Sequence, residues 1–560
     1  MTPLDNPLGF TGADIVELLV AAVLLAATVA WHPWLKPWSR RFAARTAWSM
    51  LVLAALPVVL RLALLTNHPV PSPDVYDEFG HLLVADTLLH LRLANPMHPM
   101  HRFFETFFVL QEPTYSSIYP VGQGLVLALG RAIFGTPWAG VLMAIAAFCA
   151  LCYWMLRGWT TPGWSLLGGV LAVMEFGPLN QWMNNYWGGA VPAAAGCLVF
   201  GALPRLRAGR LRDRILLGLG LGLHLLTRQF ESIFLAIAVL LFFLPALRHR
   251  AEAARLARTA LIVALVVLPA GALTLLQDRQ VTGSWTTLPE ALSQYQYGVP
   301  SAFTFQPNVV PHRALTPEQA LDYRMQLAFH GPATDTLSTY LLRLEYRVRF
   351  YRFFFLPPLY IALLLFLPAA REYRYAWVLA TLALFALGTN FFPAFQFHYI
   401  AAAACLFMLA AVTGLERLAP IKVSGWPAGA QAARVIVFLC ILHFAFWYTL
   451  HAMENRDIGR AARQYETWNT INHTNPERRI FVNRQLVVLP GQLLVFVRYT
   501  PRHIFQDEWV YNAADIDSGR IVWARDLGPE ENQELLRYYP GRTPLLLEPD
   551  FRPPRLGPYR

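Results

Sequence analysis

Long apolar blocks alternate with short polar connections along most of this 560-residue chain. A run of about 18 or more apolar residues is typical of a membrane-spanning helix, and open sheet edges find no partner in lipid, so such blocks should be helical. The blocks lie at about 14–31, 48–66, 119–135, 138–156, 163–178, 189–204, 214–226, 231–247, 259–276, 353–369, 375–392, 394–414 and 434–451. The pattern predicts an all-α polytopic membrane protein with about 12–13 transmembrane helices over residues 1–451.

The segment 452–560 has a different pattern, mixed and charged. Strand-like runs occupy 492–499, 520–527 and 543–549, and a helical run at 530–539 lies between the last two. Short β-rich runs that alternate with a helix are typical of an α/β unit. We therefore predict a small soluble α/β domain at the C-terminal end.

Composition supports the membrane prediction, since 56% of the residues are hydrophobic and only 14% are charged. The net charge is +11, but the Arg and Lys residues cluster in short connections between blocks, which is the pattern that orients helices in a membrane and not one that binds nucleic acid. The basic connections are 32–47, 205–214, 248–258, 370–374 and 416–434.

With the basic connections in the cytoplasm, the long loops 67–118 and 278–350 and the C-terminal domain lie on the periplasmic or extracytoplasmic side of a cytoplasmic (inner) membrane. The number of apolar blocks conflicts with this orientation at one place. Four blocks separate loop 67–118 from connection 205–214, where an odd number is required. Either the weakest block, 119–135, is shallow or re-entrant, or it and its neighbour are wrongly divided.

Loop 67–118 is too polar to cross a membrane and rich in aromatic residues. Its stretches 77–93 and 101–110 resemble helices that lie along the interface. Asp74, Asp77 and Glu78 come soon after a membrane helix, where carboxylates are candidates for general-base chemistry. The alternative is that Asp77 and Glu78 cap the helix that follows them, because negative charge is favoured at a helix N-terminus.

Three further connections carry candidate binding groups. Segment 180–189 (NQWMNNYWGG) combines amides with aromatic rings, which suits the hydroxyls and the apolar face of a sugar; an interfacial aromatic belt is the alternative. Arg228 lies near the outer boundary and either binds an anion, such as a lipid phosphate, or pairs with Glu231 or Glu175. His398 and Tyr399 enter the membrane from the outside, where a lone His is more often structural.

No cofactor is predicted. The pair His98 and His101 lacks a neighbouring carboxylate or Cys in a usual ligand pattern, so no metal site is assigned, although a divalent cation is possible. The cysteines all fall inside apolar blocks, which argues against a disulfide framework.

The order of these motifs resembles the GT-C superfamily of polyprenyl-phosphate-dependent glycosyltransferases, in its protein O-mannosyltransferase and aminoarabinose-transferase branch. The resemblance covers roughly residues 50–450. DEFGH (77–81) is similar to the acidic pair in the first outward loop of that family. LTRQF (226–230) stands at the place of its basic motif, and FHYIAA (397–402) resembles its late motif, with His398 where Arg is more usual.

The resemblance implies transfer of a sugar, with inversion, from a polyprenyl-phosphate donor to an acceptor hydroxyl on a protein, glycan or lipid. Asp77 would be the general base and Glu78 would orient the acceptor or a water. Arg228, His398 and Tyr399 would bind the donor phosphate. The sugar or acceptor would contact Asp74, Asn184, Asn185, Tyr186 and Trp187.

Two other classes of function remain open from the residues alone. A transporter or lipid flippase would carry ionisable residues deep within its helices, whereas most ionisable residues here lie at loop ends. A non-catalytic assembly protein leaves the acidic loop and Arg228 unexplained. An enzyme requires Asp77, Arg228, His398 and Asn185 to converge on one cavity.

Overall fold

A computed structural model describes residues 38–246, 250–453 and 477–559. The first apolar block, 14–31, lies outside the described residues. Nearly every other block forms a helix, with bounds close to those predicted. In chain order the helices of the membrane part are α1 Trp38–Ala44, α2 Thr46–Ala63, α3 Tyr76–Leu89, α4 Val121–Phe134, α5 Pro137–Leu156, α6 Pro162–Phe176, α7 Gln181–Asn184, α8 Ala190–Arg205, α9 Leu211–Leu225, α10 Gln229–Phe243, α11 Arg250–Thr282, α12 Pro289–Tyr297, α13 Pro317–His330, α14 Leu337–Val348, α15 Tyr360–Phe366, α16 Tyr373–Thr389, α17 Ala404–Leu418 and α18 Ala428–Ala452.

Five described helical stretches are long and apolar enough to cross a membrane by themselves: Thr46–Ala63, Pro137–Leu156, Glu252–Thr282, Phe397–Leu418 and Ala428–Ala452. A sixth candidate is a bent pair, Leu337–Phe354 and Pro357–Arg371, whose halves meet at 110°. The predicted block 353–369 is thus not one continuous helix. Prolines at its start remove backbone donors and allow the chain to turn there.

Contacts show that four of the basic connections share one end of the bundle: Arg205 donates to the carbonyl of Trp154 at 2.7 Å, and Arg417 pairs with Glu372. Tyr153 donates its hydroxyl to the carbonyl of Ala43 at 2.7 Å. Thr160 donates to Glu416 at 2.7 Å. We call this the basic end, and the opposite end, which carries the loops 67–118 and 278–350, the loop end.

The uneven helix count is explained by α4. At its start Gln123 donates to the carbonyl of Tyr186 at 2.9 Å. Just after it, at the start of α5, Trp138 donates to the carbonyl of Met183 at 2.9 Å. Both ends of α4 therefore lie beside the 180–189 segment at the loop end. This corresponds to the shallow alternative and leaves an odd number of helices, α5, α6 and α8, to connect loop 67–118 with connection 205–214.

Loop 67–118 folds into α3 and a small antiparallel sheet. Its strands are β1 Asn95–Pro96, β2 Val109–Leu110 and β3 Thr114–Ser117, in the order β1-β3-β2. The predicted helix at 77–93 is confirmed by α3, whereas the one at 101–110 is wrong. That stretch holds one 3-10 turn, His101–Phe104, and then β2, because β2 gains backbone partners by pairing with β3.

The C-terminal part contains α19 Glu477–Val488, β4 Leu493–Val497, β5 Ile521–Arg525, α20 Pro529–Tyr538, β6 Thr543–Glu548 and β7 Arg555–Pro558. The sheet order is β5-β4-β6-β7, with β4 parallel to β5 and β6 and with β7 antiparallel to β6. The three predicted strands and the helix between them are confirmed. The boundary predicted at 451/452 remains a prediction, since residues 454–476 lie outside the description.

The C-terminal sheet does not stand apart from the membrane part. Leu83, Phe103 and Phe104 of the first loop form one apolar cluster with Leu494 and Phe496 of β4. A second set of links is polar and is centred on Arg525, described below. The sheet is thus packed onto the loop end.

Candidate active site

Helix α3 begins with the acidic pair, and the two carboxylates differ in their surroundings. Glu78 is buried and accepts hydrogen bonds from the backbone N–H groups of Asp74 at 2.8 Å, Val75 at 3.3 Å and Tyr186 at 2.9 Å. Burial raises the pKa of Glu78 to about 7, against the effect of these bonds. The capping alternative therefore applies to Glu78, which also ties α3 to the 180–189 segment. Its predicted contact with an acceptor remains a prediction.

Asp77 is only half-buried as a residue, in contrast to Glu78. Tyr119 donates its hydroxyl to Asp77 Oδ1. Burial raises the pKa of Asp77, while the Tyr119 bond and the charge of Arg228 oppose this effect. A carboxylate of raised pKa is expected of a general base.

Arg228 lies at the N-terminus of α10, in the turn after α9. The turn is held by Gly122, whose N–H donates to the carbonyl of Leu226 at 2.7 Å. A Cβ at Gly122 would lie 2.6 Å from the same carbonyl oxygen, so only glycine fits this approach. The requirement explains the glycine after the proline in YPVGQG.

The guanidinium of Arg228 is loosely held. Its nearest carboxylate is Glu231, with 4.0 Å between Nη1 and Oε1, and its side chain remains 20% exposed. The guanidinium carbon lies 5.2 Å from the centre of the Tyr399 ring. A separation of 4.0 Å is too long for a hydrogen bond, so the N–H groups that face Glu231 remain available to an anion.

Side chains linked to Asp77 through Tyr119 and to Arg228 through Tyr399 carry hydrogen-bonding atoms without a partner. Within the described part of the chain, His81 Nδ1, His398 Nδ1 and Trp187 Nε1 are buried and make no hydrogen bond. The ring of His81 stacks on Tyr119 at 4.2 Å, and the rings of Trp187 and His398 lie 5.7 Å apart. Buried polar atoms normally have partners, so these atoms indicate a place for a polar ligand.

His81 is neutral at physiological pH. Burial, assisted by the charge of Arg228, lowers the pKa of its imidazole to about 3. Each neutral imidazole has one N–H and one acceptor nitrogen. His81 can therefore hydrogen-bond a ligand without adding charge. It belongs to the DEFGH motif, but no binding role was predicted for it from the sequence.

The amides of the 180–189 segment divide into two groups. Asn184 faces inward, where its Oδ1 accepts from Arg61 Nε at 2.6 Å and its Nδ2 donates to the carbonyls of Pro178 and Asn180 at 3.0 and 2.7 Å. These contacts use the whole amide. The predicted sugar contact of Asn184 remains a prediction. Asn185 is also buried, but neither its Oδ1 nor its Nδ2 has a partner among the described residues.

Tyr186 also serves the fold. Its hydroxyl donates to the carbonyl of Pro71 at 2.8 Å, and its backbone groups bond to Glu78 and Gln123. The ring is buried and the hydroxyl is already used, and its predicted contact with a sugar or acceptor remains a prediction. Trp187, by contrast, is half-buried with its Nε1 unpartnered.

Asp74 faces the C-terminal domain. Burial raises the pKa of Asp74; Asp507 adds to this effect, and Arg479 and Arg478 oppose it. All three of these charged neighbours belong to the C-terminal domain. The prediction that Asp74 contacts the acceptor remains a prediction, at a position where the domain and α3 meet.

The second loop brings another carboxylate to the site. Asp322 of α13 is buried, and its Oδ2 has no partner among the described residues. Burial raises the pKa of Asp322 to about 7; Gln326 opposes this, and the charge of Asp77 adds to it. Its neighbour Tyr323 packs in one apolar cluster with Tyr76 and Tyr119. No sequence signal connected this position with Asp77.

No group of three or more potential metal ligands is found in the described part of the chain. His98 and His101 have separate partners: His98 bonds Asp517 at 3.0 Å, while His101 lies 3.8 Å from Glu112.

Comparison with known proteins gives structural likeness only. No protein-family model and no curated protein matches the chain. The structure is similar to ArnT from Cupriavidus metallidurans in the apo state, with 12% identity, a TM-score of 0.49, and coverage of 90% of this chain and 93% of that one. It is also similar to ArnT from the same organism bound to undecaprenyl phosphate, with 11% identity, a TM-score of 0.49, and coverage of 89% of this chain and 92% of that one.

The chain is also similar to the Archaeoglobus fulgidus oligosaccharyltransferase tethered with an acceptor peptide, at 12% identity and a TM-score of 0.43, over 83% of this chain and 63% of that one. Similarity at this level of identity does not specify side chains, so the site rests on the geometry described above.

Proposed function

We propose that the chain is a membrane glycosyltransferase that moves a sugar from a polyprenyl-phosphate donor to an acceptor hydroxyl at the loop end of the bundle. One observation carries the proposal. A loosely held arginine, Arg228, and the side chains of His81, His398 and Trp187, which carry unpartnered atoms, form one group of neighbours with the carboxylate of Asp77.

The groups match the donor's chemistry. A phosphodiester offers oxygen acceptors and one negative charge, which suit the free N–H groups of Arg228. Sugar hydroxyls donate and accept, which suits neutral imidazoles, the Asn185 amide and Trp187 Nε1. The apolar polyprenyl chain would lie among the membrane helices.

The reaction follows from these positions. Asp77 accepts the proton of the acceptor hydroxyl as its oxygen attacks the anomeric carbon. The bond between that carbon and the phosphate oxygen breaks, and the phosphate leaves with the electron pair. Arg228 stabilises the charge that develops on the leaving phosphate. Attack from the face opposite the phosphate inverts the anomeric configuration.

Tyr119 holds Asp77 by its hydroxyl, and Glu78 fixes the start of α3 against the 180–189 segment. By this proposal the loop end faces the periplasm or its equivalent, away from the basic connections. The acceptor is a hydroxyl on a protein, glycan or lipid.

The test is transfer from a labelled polyprenyl-phosphate sugar in purified membranes. We expect Asp77→Asn to lower kcat by about 10²- to 10⁴-fold, because general-base catalysis contributes that much. Glu345→Gln, an exposed acid in the same end of the molecule, is the control and should match wild type. Unchanged transfer by Asp77→Asn would show that the base is assigned wrongly, and failure of wild type with a broad panel of donors would remove the function itself.

A further inference from the structure

The helix that carries Asp77 is held at both ends by the C-terminal domain. At the start of α3, the ring of Phe79 stacks on Tyr511 with 4.2 Å between centroids and 2° between planes. At the other end, Asp86 Oδ2 accepts from the backbone N–H of Ala514 at 2.7 Å. Asp86 is mostly buried, and its second oxygen pairs with Arg131 of α4 at 2.9 Å.

A buried arginine completes the contact at the start of α3. The guanidinium of Arg479 lies between two rings, 4.7 Å from the centre of Phe79 and 4.6 Å from that of Trp509. The same guanidinium donates to the carbonyl of Glu508. Stacking of this kind is stronger when the cation is desolvated, as it is for Arg479, which is buried.

Behind these contacts the domain is locked onto both loops. Arg525 of β5 donates to the carbonyl of Glu105 in the first loop at 2.5 Å and to Glu318 of α13 in the second loop at 2.6 Å. It also pairs with Glu508 of its own domain. The contacts of Tyr511 and Arg479 with α3 are therefore made from a fixed base.

Phe79 lies between Glu78 and Gly80, two residues after Asp77 and two before His81. A displacement of the helix backbone at Phe79 would move both site residues, because α3 is a single helix of 14 residues. We propose that the C-terminal domain is a positioning part of the active site, in which Tyr511 and Arg479 hold α3 so that Asp77 and His81 face Arg228. This inference rests on the proposed glycosyltransferase function only for its kinetic consequence.

The variants are Tyr511→Ala, which removes the stack, and Tyr511→Phe, which keeps the ring. Phe551→Ala is the matched control, because Phe551 also stacks on an arginine of the same domain, at 3.7 Å from Arg555, in the segment after β6. The first measurement is hydrogen exchange of the backbone amides of α3 in the full-length protein. Tyr511→Ala should raise exchange across residues 76–89, whereas Tyr511→Phe and Phe551→Ala should leave it as in wild type.

The second measurement is kinetic. Misplacing a catalytic group by about 1 Å costs up to about 100-fold, so kcat of Tyr511→Ala should fall by about 10- to 100-fold with little change in KM for the donor. Because burial raises the pKa of Asp77, water admitted by the lost ring should also move the acid limb of the kcat profile to lower pH. Tyr511→Phe should keep both kcat and the acid limb of the profile as in wild type.

The outcomes separate the two proposals. If wild type transfers no sugar but Tyr511→Ala loosens α3, the function fails and the positioning role stands. If wild type transfers sugar while Tyr511→Ala keeps both its kcat and the exchange protection of α3, the positioning role is overturned.

Discussion

Two arginines near the loop end show opposite ways of placing a cation out of water. Arg525 is only 5% exposed, and it donates to Glu105, Glu318 and Glu508, each from a different nitrogen. Arg228 is 20% exposed and reaches one carboxylate at 4.0 Å. Burying a charge is costly unless it is paired and hydrogen-bonded.

The difference indicates a structural role for Arg525 and a ligand-binding role for Arg228. Each nitrogen of Arg525 already donates to a glutamate oxygen, so its main effect is to join two loops and the C-terminal domain. The loosely held Arg228 lies near side chains that carry unpartnered atoms, those of His81, His398 and Trp187. Under the proposed function, the ligand would therefore bind where buried hydrogen-bonding atoms lack a partner, and not simply where charge is present.

The largest expected effect is the loss of stability caused by replacing Arg525. Arg525→Ala leaves Glu508 and Glu318 without their buried partner, which typically costs about 3–5 kcal/mol. We expect a large drop in the melting temperature of the purified protein, followed by tryptophan fluorescence because Trp509 and Trp523 lie in the same domain. Arg498→Ala removes the half-exposed partner of the nearly buried Asp526 and should cost less, because Asp526 also accepts hydrogen bonds from Gly528 and Asn532. Equal losses in the two variants would contradict the comparison.

Arg228→Ala should mainly lower transfer activity and leave stability nearly unchanged. Loss of one group that stabilises developing negative charge lowers kcat by about 10²- to 10³-fold. The melting temperature should stay near that of wild type, since a loose, partly exposed pair contributes about 1 kcal/mol or less. Arg324→Ala, at an exposed position of α13, is the control for transfer activity. If Arg228→Ala lowered the melting temperature but left transfer at the wild-type rate, Arg228 would be a structural residue and the assignment would be wrong.

The neutrality of His81 has a pH signature. Its pKa is about 3 in the folded protein, against an ordinary value of 6.5, so the unfolded chain binds the extra proton first. Stability is therefore kept above pH 6.5 and is lost as the pH falls from 6.5 towards 3, by up to about 1.4 kcal/mol per pH unit. His81→Gln should weaken this acid dependence in thermal melts between pH 7 and pH 5. An identical dependence in the variant would mean that His81 is not buried in its neutral form.

The smallest effect concerns two indoles. Trp187 Nε1 has no partner among the described residues, whereas Trp159 Nε1 donates to the carbonyl of Phe200 at 2.9 Å. Trp187→Phe should leave stability unchanged and raise the donor KM about fivefold, the equivalent of about 1 kcal/mol for one hydrogen bond. Trp159→Phe should lower the melting temperature without changing KM. The pairing of indole with ligand is wrong if both variants behave alike.

Several features were predictable because they depend on local pattern. The alternation of apolar positions identified β4, β5 and β6, and the apolar blocks identified most membrane helices. The stretch 101–110 was mistaken for a helix because its aromatic residues suggested an interface, while its real partner, β3, lies several residues further along. The shallow placement of α4 depended on contacts with the 180–189 segment, which no local pattern contains.

The candidate site was predictable in part. Asp77 and Arg228 stood out because charges at membrane boundaries need a reason. Asn184 and Tyr186 belonged to an equally suggestive segment, yet Arg61 and Pro71 use their polar groups from more than 100 residues away in the chain. Residue type indicates what a side chain can bond, but only the fold decides which partner reaches it first.

By itself the sequence determined the helical membrane domain, the β-strands of the C-terminal domain and the two residues at the centre of the proposed chemistry, because hydropathy and isolated charges act over short stretches of chain. The tertiary structure alone decided that Glu78 ties α3 to the 180–189 segment, that Asp77 is held by Tyr119, and that His81 is buried close enough to Arg228 for its charge to lower the imidazole pKa. It also decided that the C-terminal domain holds α3. These outcomes depend on long-range contacts, and burial and hydrogen bonding are settled only when distant segments pack together.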